Sequence, residues 1–358
     1  MSENPLLAKA AERAVRLASE FQKVAAELDG VKLAEAFEAA VAASPRRDEA
    51  GKAFFEPHPA RRRTRAKDRD GEDLAAALVH HCRAAGKGLW MPKILPDEPD
   101  HTLELLDHRV PVKPRREDTG TSHLDAVGLL DDRLAVVKLK YVAADAGRGA
   151  TGDTPLRALF EGLSDAAAAA ANADALRAEL TERFQRAVSD APPALILAGT
   201  RRWWDLARKR SVQKGAGWIR ELDRLATQLE EACGVTVEYV GIDLPGAPPW
   251  EIRTGEGGDE TPVLTQPPRL VLAWEATAGR LRSRSKTKAK TEVKVEAVVA
   301  DPRRPARPYR VTDSYAAGDT IQHPTLGLGV VQAAAGPGKI QVLFDGTRRV
   351  LVHERPGA

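Results

Sequence analysis

Residues 122–141 read SHLDAVGLLDDRLAVVKLKY, two runs of branched apolar residues on either side of Asp131-Asp132. Extended runs broken by two adjacent turn formers predict an antiparallel β-hairpin. With Asp131-Asp132 as the turn, Asp125 stands opposite Lys138 and His123 opposite Lys140. The two-residue period of a strand then puts all four on one face, while Val137, Leu139 and Tyr141 point into the core. A carboxylate beside a lysine on neighbouring strands suits metal-assisted phosphodiester cleavage. The carboxylate binds Mg2+, and the ammonium orients the attacking water or steadies the developing phosphorane charge.

The flanking sequence supplies the rest of a core. EDLAAALVHHCRAAG (72–86) has helical periodicity and ends at Gly86, and HTLELLDHRVPV (101–112) is a further strand before the hairpin. After the hairpin come a helix from about Thr154 with Pro155 in its first turn, a strand PPALILAGT (192–200), a helix GWIRELDRLATQLEEACG (217–234) and a strand VTVEYVGIDL (235–244). Helix, three meandering strands, helix and strand predict an α/β core covered on both faces. Upstream, LLAKAAERAVRLASEFQKVAAELDGVKLAEAFEAAVAA predicts one or two amphipathic helices ended at Ser44-Pro45.

This order of elements, with Asp125 on one hairpin strand and a lysine on the next, resembles the PD-(D/E)XK nuclease-like superfamily across roughly residues 71–244. The resemblance implies a metal-dependent deoxyribonuclease fold, with Asp125 as the metal-binding acid, Lys140 as the catalytic lysine and Glu72 as the acid carried on the preceding helix. It also implies Mg2+ as cofactor wherever such a site is active. One departure stands out: the family places an acid two residues before the lysine, and this chain has Lys138 there. A cation at that position repels Mg2+ and pairs with Asp125 across the hairpin, an interaction of roughly 0.2 to 1 kcal/mol. Some members take the missing acid from the following helix, where this chain carries Glu161; a solvated helix residue is the competing reading. Glu72 also reads as a first-turn acid that favours the helix dipole.

The chain has 358 residues, more than one ordinary domain, and its net charge of +3 is unevenly spread. Eleven Lys or Arg against three acids lie between Ala276 and Arg310, leaving the remainder acidic. Within that stretch, residues 277–308 are low in apolar content and predict a flexible basic linker. Its alternating cations Arg280, Arg282, Arg284, Lys286, Lys288 and Lys290 are candidates for binding phosphates. The predicted organisation is a helical region 1–56, a basic loop 57–70, the nuclease-like domain 71–276, the linker 277–308 and a small all-β domain 309–358. Short strands separated by Gly turns make that last domain a barrel or meander. Gly318-Asp319, His323-Pro324, Gly327-x-Gly329, Lys339-x-x-Val342-x-Phe344 and Arg349-x-Leu351-Val352 resemble the SH3-like or Tudor-like modules of bacterial helicases and transcription-associated factors. That resemblance implies an adapter docking on RNA polymerase or DNA.

Other features narrow the function further. Every apolar run is interrupted by charge well before the roughly 20 residues of a membrane span, and the first residues lack a secretory pattern, so a cytoplasmic chain is expected. Two cysteines cannot build a disulfide framework, and the eight histidines show no metal-ligand spacing. His80-His81-Cys82 diverge around a helix and predict a partly buried face rather than a ligand set, and Trp203-Trp204 read as core packing or as a base-stacking pair. Three functions remain open: an Mg2+-dependent DNA endonuclease using Glu161, a DNA-binding relative that does not cut, and an adapter bridging DNA or RNA polymerase to another protein.

Overall fold

A computed structural model describes residues 4–56, 58, 70–93, 97–115, 117–147, 153–210, 217–255, 258–274, 298–324, 326–336, 338–345 and 347–353. The chain divides into two compact units, Met1–Lys286 and Thr287–Ala358.

The first unit starts with α1 (Pro5–Ala11), α2 (Arg13–Arg16), α3 (Phe21–Glu27) and α4 (Gly30–Ala43), four helices in place of the expected one or two. Side chains cap two of these helix starts, those of α1 and α4. Asn4 accepts hydrogen bonds from the Leu6 and Leu7 N–H groups, and Asp29 accepts one from Val31. The short pieces turn Leu6, Val15, Phe21, Leu33 and Phe37 into one shared core, so this region is part of the unit rather than an appendage. There follow α5 (Asp70–Ala85), β1 (Leu89–Trp90), β2 (Thr102–Pro111), β3 (His123–Leu130), β4 (Arg133–Lys140), α6 (Pro155–Ala171) and α7 (Ala173–Phe184). The unit is completed by β5 (Ala194–Thr200), α8 (Arg201–Arg210), α9 (Trp218–Cys233), β6 (Val237–Asp243), β7 (Trp250–Thr254), β8 (Glu260–Leu264) and β9 (Arg269–Leu272).

Seven strands form one mixed sheet in the order β1-β2-β3-β4-β5-β6-β9. The β4–β5 and β5–β6 pairs are parallel and the others antiparallel, while β7 and β8 form a separate ribbon. β5 shows how both faces are used. Leu195 and Leu197 pack with α6 and α9 on one side, and Ala194, Ile196 and Ala198 pack with the α5 side on the other, as the alternation of a strand requires. The α/β class is therefore as expected; β1, α7, α8, the β7–β8 ribbon and β9 are additions to the expected order. The β3–β4 hairpin has the anticipated register, with Leu130 opposite Arg133 and Ala126 opposite Val137.

The second unit is a five-stranded sheet, β10 (Arg307–Pro308), β11 (Thr320–His323), β12 (Gly327–Gly336), β13 (Lys339–Phe344) and β14 (Thr347–Val352), in that order. β10 lies parallel to β11 and the rest are antiparallel, around Tyr315, Ile321, Val331, Ile340, Val342 and Phe344. Its order begins before residue 309. Val298 N–H donates to Gln332, and Arg304 and Arg307 both pair with the buried Asp319. The end of the expected linker is thus folded, because Asp319 gives two of its arginines a partner.

Candidate functional site

β4 changes character along its length. Leu134 and Val136 pack in an apolar cluster with α7 residues, whereas Lys138 and Lys140, next on the same face, meet charged side chains of α6. Arg157, Glu161 and Asp165 recur every four residues and so share one side of α6. Thr154 starts the helix by accepting from the Arg157 N–H at 3.1 Å. Gly162 allows the close approach to the sheet, since a Cβ there would lie 2.9 Å from Leu195 Cδ1 and 3.4 Å from Lys138 Cβ.

The result is a linked set of seven charges. Lys138 Nζ lies 3.3 Å from Asp125 and 3.0 Å from Asp165. Lys140 Nζ is 2.7 Å from both Asp153 and Glu161, and Arg157 reaches the same two acids at 2.6 and 2.9 Å. Neutral donors complete the shell: Leu139 N–H donates to Asp125 at 3.0 Å, and Thr121 Oγ1 donates to Asp165 at 2.9 Å. Asp125 therefore takes up the β4 backbone N–H just beyond the last β3–β4 pair.

Exposure distinguishes this arrangement from an open nuclease face. The Asp125 side chain is 33% exposed, but Lys138, Lys140 and Asp165 retain only 15%, 12% and 4% where α6 meets the sheet. Burial alone would depress the Lys138 ammonium, yet Asp165 and Asp125 overcome it and hold it above the ordinary lysine value. Two carboxylates share that one ammonium, and the deeper of them bears the cost: full burial pushes Asp165 up to about 6 despite Lys138. Asp153 moves the other way, its burial outweighed by Lys140 and Arg157, which hold it below the usual carboxylate range.

A sign follows for pH dependence. Asp165 has a folded value above its unfolded one, so the folded protein binds the extra proton, and this group adds stability as pH falls through about 6. The stability of the protein relative to its Asp165→Asn variant is expected to increase between about pH 7 and about pH 5 in urea denaturation. A change in the opposite direction would mean that Lys138 dominates over burial.

Chemically, the set holds four carboxylates against three cations. Mg2+ needs a near-octahedral oxygen shell at about 2.1 Å. To lie between Asp125 and Asp165 it would have to expel Lys138 and leave that ammonium buried without a partner, a penalty of about 3–5 kcal/mol. Asp125 and Glu161 are engaged by different lysines. Glu72, in the first turn of α5, faces Arg109 at 3.4 Å and has no ion pair with either lysine. Arg280, Arg282, Arg284, Lys286, Lys288 and Lys290 lie outside the described residues.

Near Asp125 the surroundings are basic. His123 is held below the usual histidine range by burial and by Arg109, with Arg47 and Lys113 adding and Glu72 opposing. Trp203 and Trp204 are both 2% exposed and belong to the core, so they offer no stacking surface. Among His80-His81-Cys82, Cys82 is buried, with its thiol pushed up by that burial, and His80 is exposed.

One cluster was invisible to sequence spacing. Among the described residues, His58, Asp107 and His108 bring three ligand atoms within 4.8 Å of one another. A bulge in β2 positions two of them: Leu105 pairs with Gly128 and Asp107 with Val127, so Leu106 is the extra residue. Gly128 is what permits it, because a Cβ there would sit 1.9 Å from the Glu104 carbonyl oxygen. A glycine inside a strand is the signal that marks such a bulge. No family model, curated protein or solved structure matches the chain.

Proposed function

We propose that the first unit is a DNA-binding relative of the PD-(D/E)XK nucleases that does not cut, with ion pairs standing where that superfamily holds its metal. The observation that carries this reading is the Lys138 ammonium 3.0 Å from Asp165 and 3.3 Å from Asp125, where an active relative would hold Mg2+. The order α5, β2, β3, β4, α6, β5 supports the kinship, and the basic residues around His123 and within 276–310 support a phosphate-rich partner. In this reading the second unit is an SH3-like or Tudor-like adapter that docks on RNA polymerase or on the same DNA.

The test is direct. The full chain is incubated with duplex and single-stranded DNA, with and without Mg2+ or Mn2+, beside Asp125→Ala. Expected are binding without cutting and an affinity that falls about 10^3-fold between 50 and 200 mM salt if six phosphates are engaged. Neutralising Arg280, Arg282, Arg284, Lys286, Lys288 and Lys290 together should flatten the salt slope by roughly 0.9 for each phosphate released. Metal-dependent cutting that Asp125→Ala abolishes would instead establish the endonuclease, with Glu161 as the migrated acid. Absence of any DNA affinity would leave the adapter.

A further inference from the structure

We propose that His58, Asp107 and His108 form a binding site for a divalent transition metal of the zinc class, separate from the Lys138 network and independent of the DNA reading. Two imidazoles and one carboxylate are the nitrogen and oxygen donors such an ion takes.

The geometry is close to what coordination needs. His58 Nε2 lies 2.7 Å from Asp107 Oδ1, and His108 Nδ1 lies 3.6 Å from the same oxygen. Ligands at about 2.0–2.1 Å from a tetrahedral ion stand about 3.4 Å apart, so these separations bracket the required edge. The two rings face each other with centroids 4.1 Å apart. A small opening of the His58–Asp107 pair would admit the ion once the hydrogen on His58 Nε2 has moved to Nδ1, so that Nε2 offers its lone pair.

Support around the ligands is graded from buried to exposed. Asp107 and His108 lie on the bulged strand, with side chains 3% and 11% exposed, and the His108 backbone N–H donates to Asp107 at 2.8 Å. His58 is 32% exposed and forms the outer side of the site. Arg83 pairs with Asp107 at 3.5 Å and also donates from Nε and Nη2 to the Leu106 carbonyl, a partner it keeps when an ion takes up Asp107. A cavity of about 230 Å3, lined by His58 and His108 together with His80 and Glu260, adjoins two of the three ligands. It has room for water to complete the shell, which makes this an open rather than a closed metal site.

Arg109 follows the two ligands on β2. Its backbone is left-handed at φ 49°, and the strand resumes its alternation only at Val110. Bulge and left-handed residue bracket Asp107-His108, and both side chains are buried.

The experiment uses the full chain, stripped with a chelator and dialysed, then titrated with Zn2+ by calorimetry and with Co2+ by visible absorption. Expected are binding of one Zn2+ that depends on this site, and Co2+ bands of a nitrogen and oxygen environment with low coordination number. His58→Ala, the exposed ligand and the one least able to disturb folding, should weaken Zn2+ at least about 10-fold, since even outer-shell changes cost that much. His108→Ala should do the same and should abolish any rise in thermal midpoint with Zn2+. An unchanged isotherm in both variants, or no Zn2+ uptake by the intact chain, would overturn the proposal.

Discussion

Replacing Lys138 with methionine is expected to destabilise the first unit by about 3–5 kcal/mol at neutral pH, read as a fall in the urea midpoint at unchanged slope. Methionine preserves most of the apolar stem, so the effect isolates the charge. Asp125, one-third exposed and bonded to the Leu139 N–H, falls back on water; Asp165, 4% exposed, has no such recourse. The penalty therefore falls on Asp165. Without Lys138 its folded pKa rises further above the unfolded value, the folded state binds the proton more strongly, and the loss should shrink as pH is lowered. Lys138→Met combined with Asp165→Asn removes both charges and should recover most of the loss. A single-variant cost below about 1 kcal/mol would mean that water reaches the network freely. It would also remove the main physical obstacle to Mg2+ at Asp125.

Trp204→Ala should be about as damaging, at about 3–5 kcal/mol. The indole packs edge-on against Trp203 with centroids 4.4 Å apart and against Trp274 at 5.1 Å, and its Nε1 donates to the Val240 carbonyl at 3.0 Å. Truncation leaves a cavity beneath α9 and strands a buried acceptor on β6. Trp204→Phe keeps part of the volume and loses the N–H, so it should cost measurably less. DNA affinity of the folded fraction is expected to be unchanged. A loss of DNA affinity with stability intact would make the tryptophan pair a stacking surface after all.

Much of the fold was legible because periodicity and punctuation are local. The Asp131-Asp132 turn set the hairpin register, and Thr154-Pro155 and Gly86 marked helix ends that the structure places there. The opposition of Asp125 and Lys138 followed from the same turn, and it is the part of the candidate site that sequence reached. Sequence reasoning saw Glu161 as a choice between metal ligand and solvated residue. It is not exposed but clamped by Lys140 and Arg157. Asp153 and Asp165 escaped notice because their relation to β4 depends on the seat of α6, which no spacing within the helix reveals. The β7–β8 ribbon and β9 escaped for a related reason, since strands of four or five residues carry little pattern of their own.

By itself the sequence determined the alternation of apolar and charged residues along β3 and β4, and hence which side chains share a face, because a strand's period of two allows no other outcome. Whether that face met solvent or a helix was decided by the tertiary structure: Gly162 lets α6 descend onto the sheet, and a lysine beneath a helix must find carboxylates or lose its charge. The same division holds at β2. Sequence placed Asp107 beside His108 along the chain, and only the bulge over Gly128, with His58 brought in from 49 residues upstream, assembled three donors around one point.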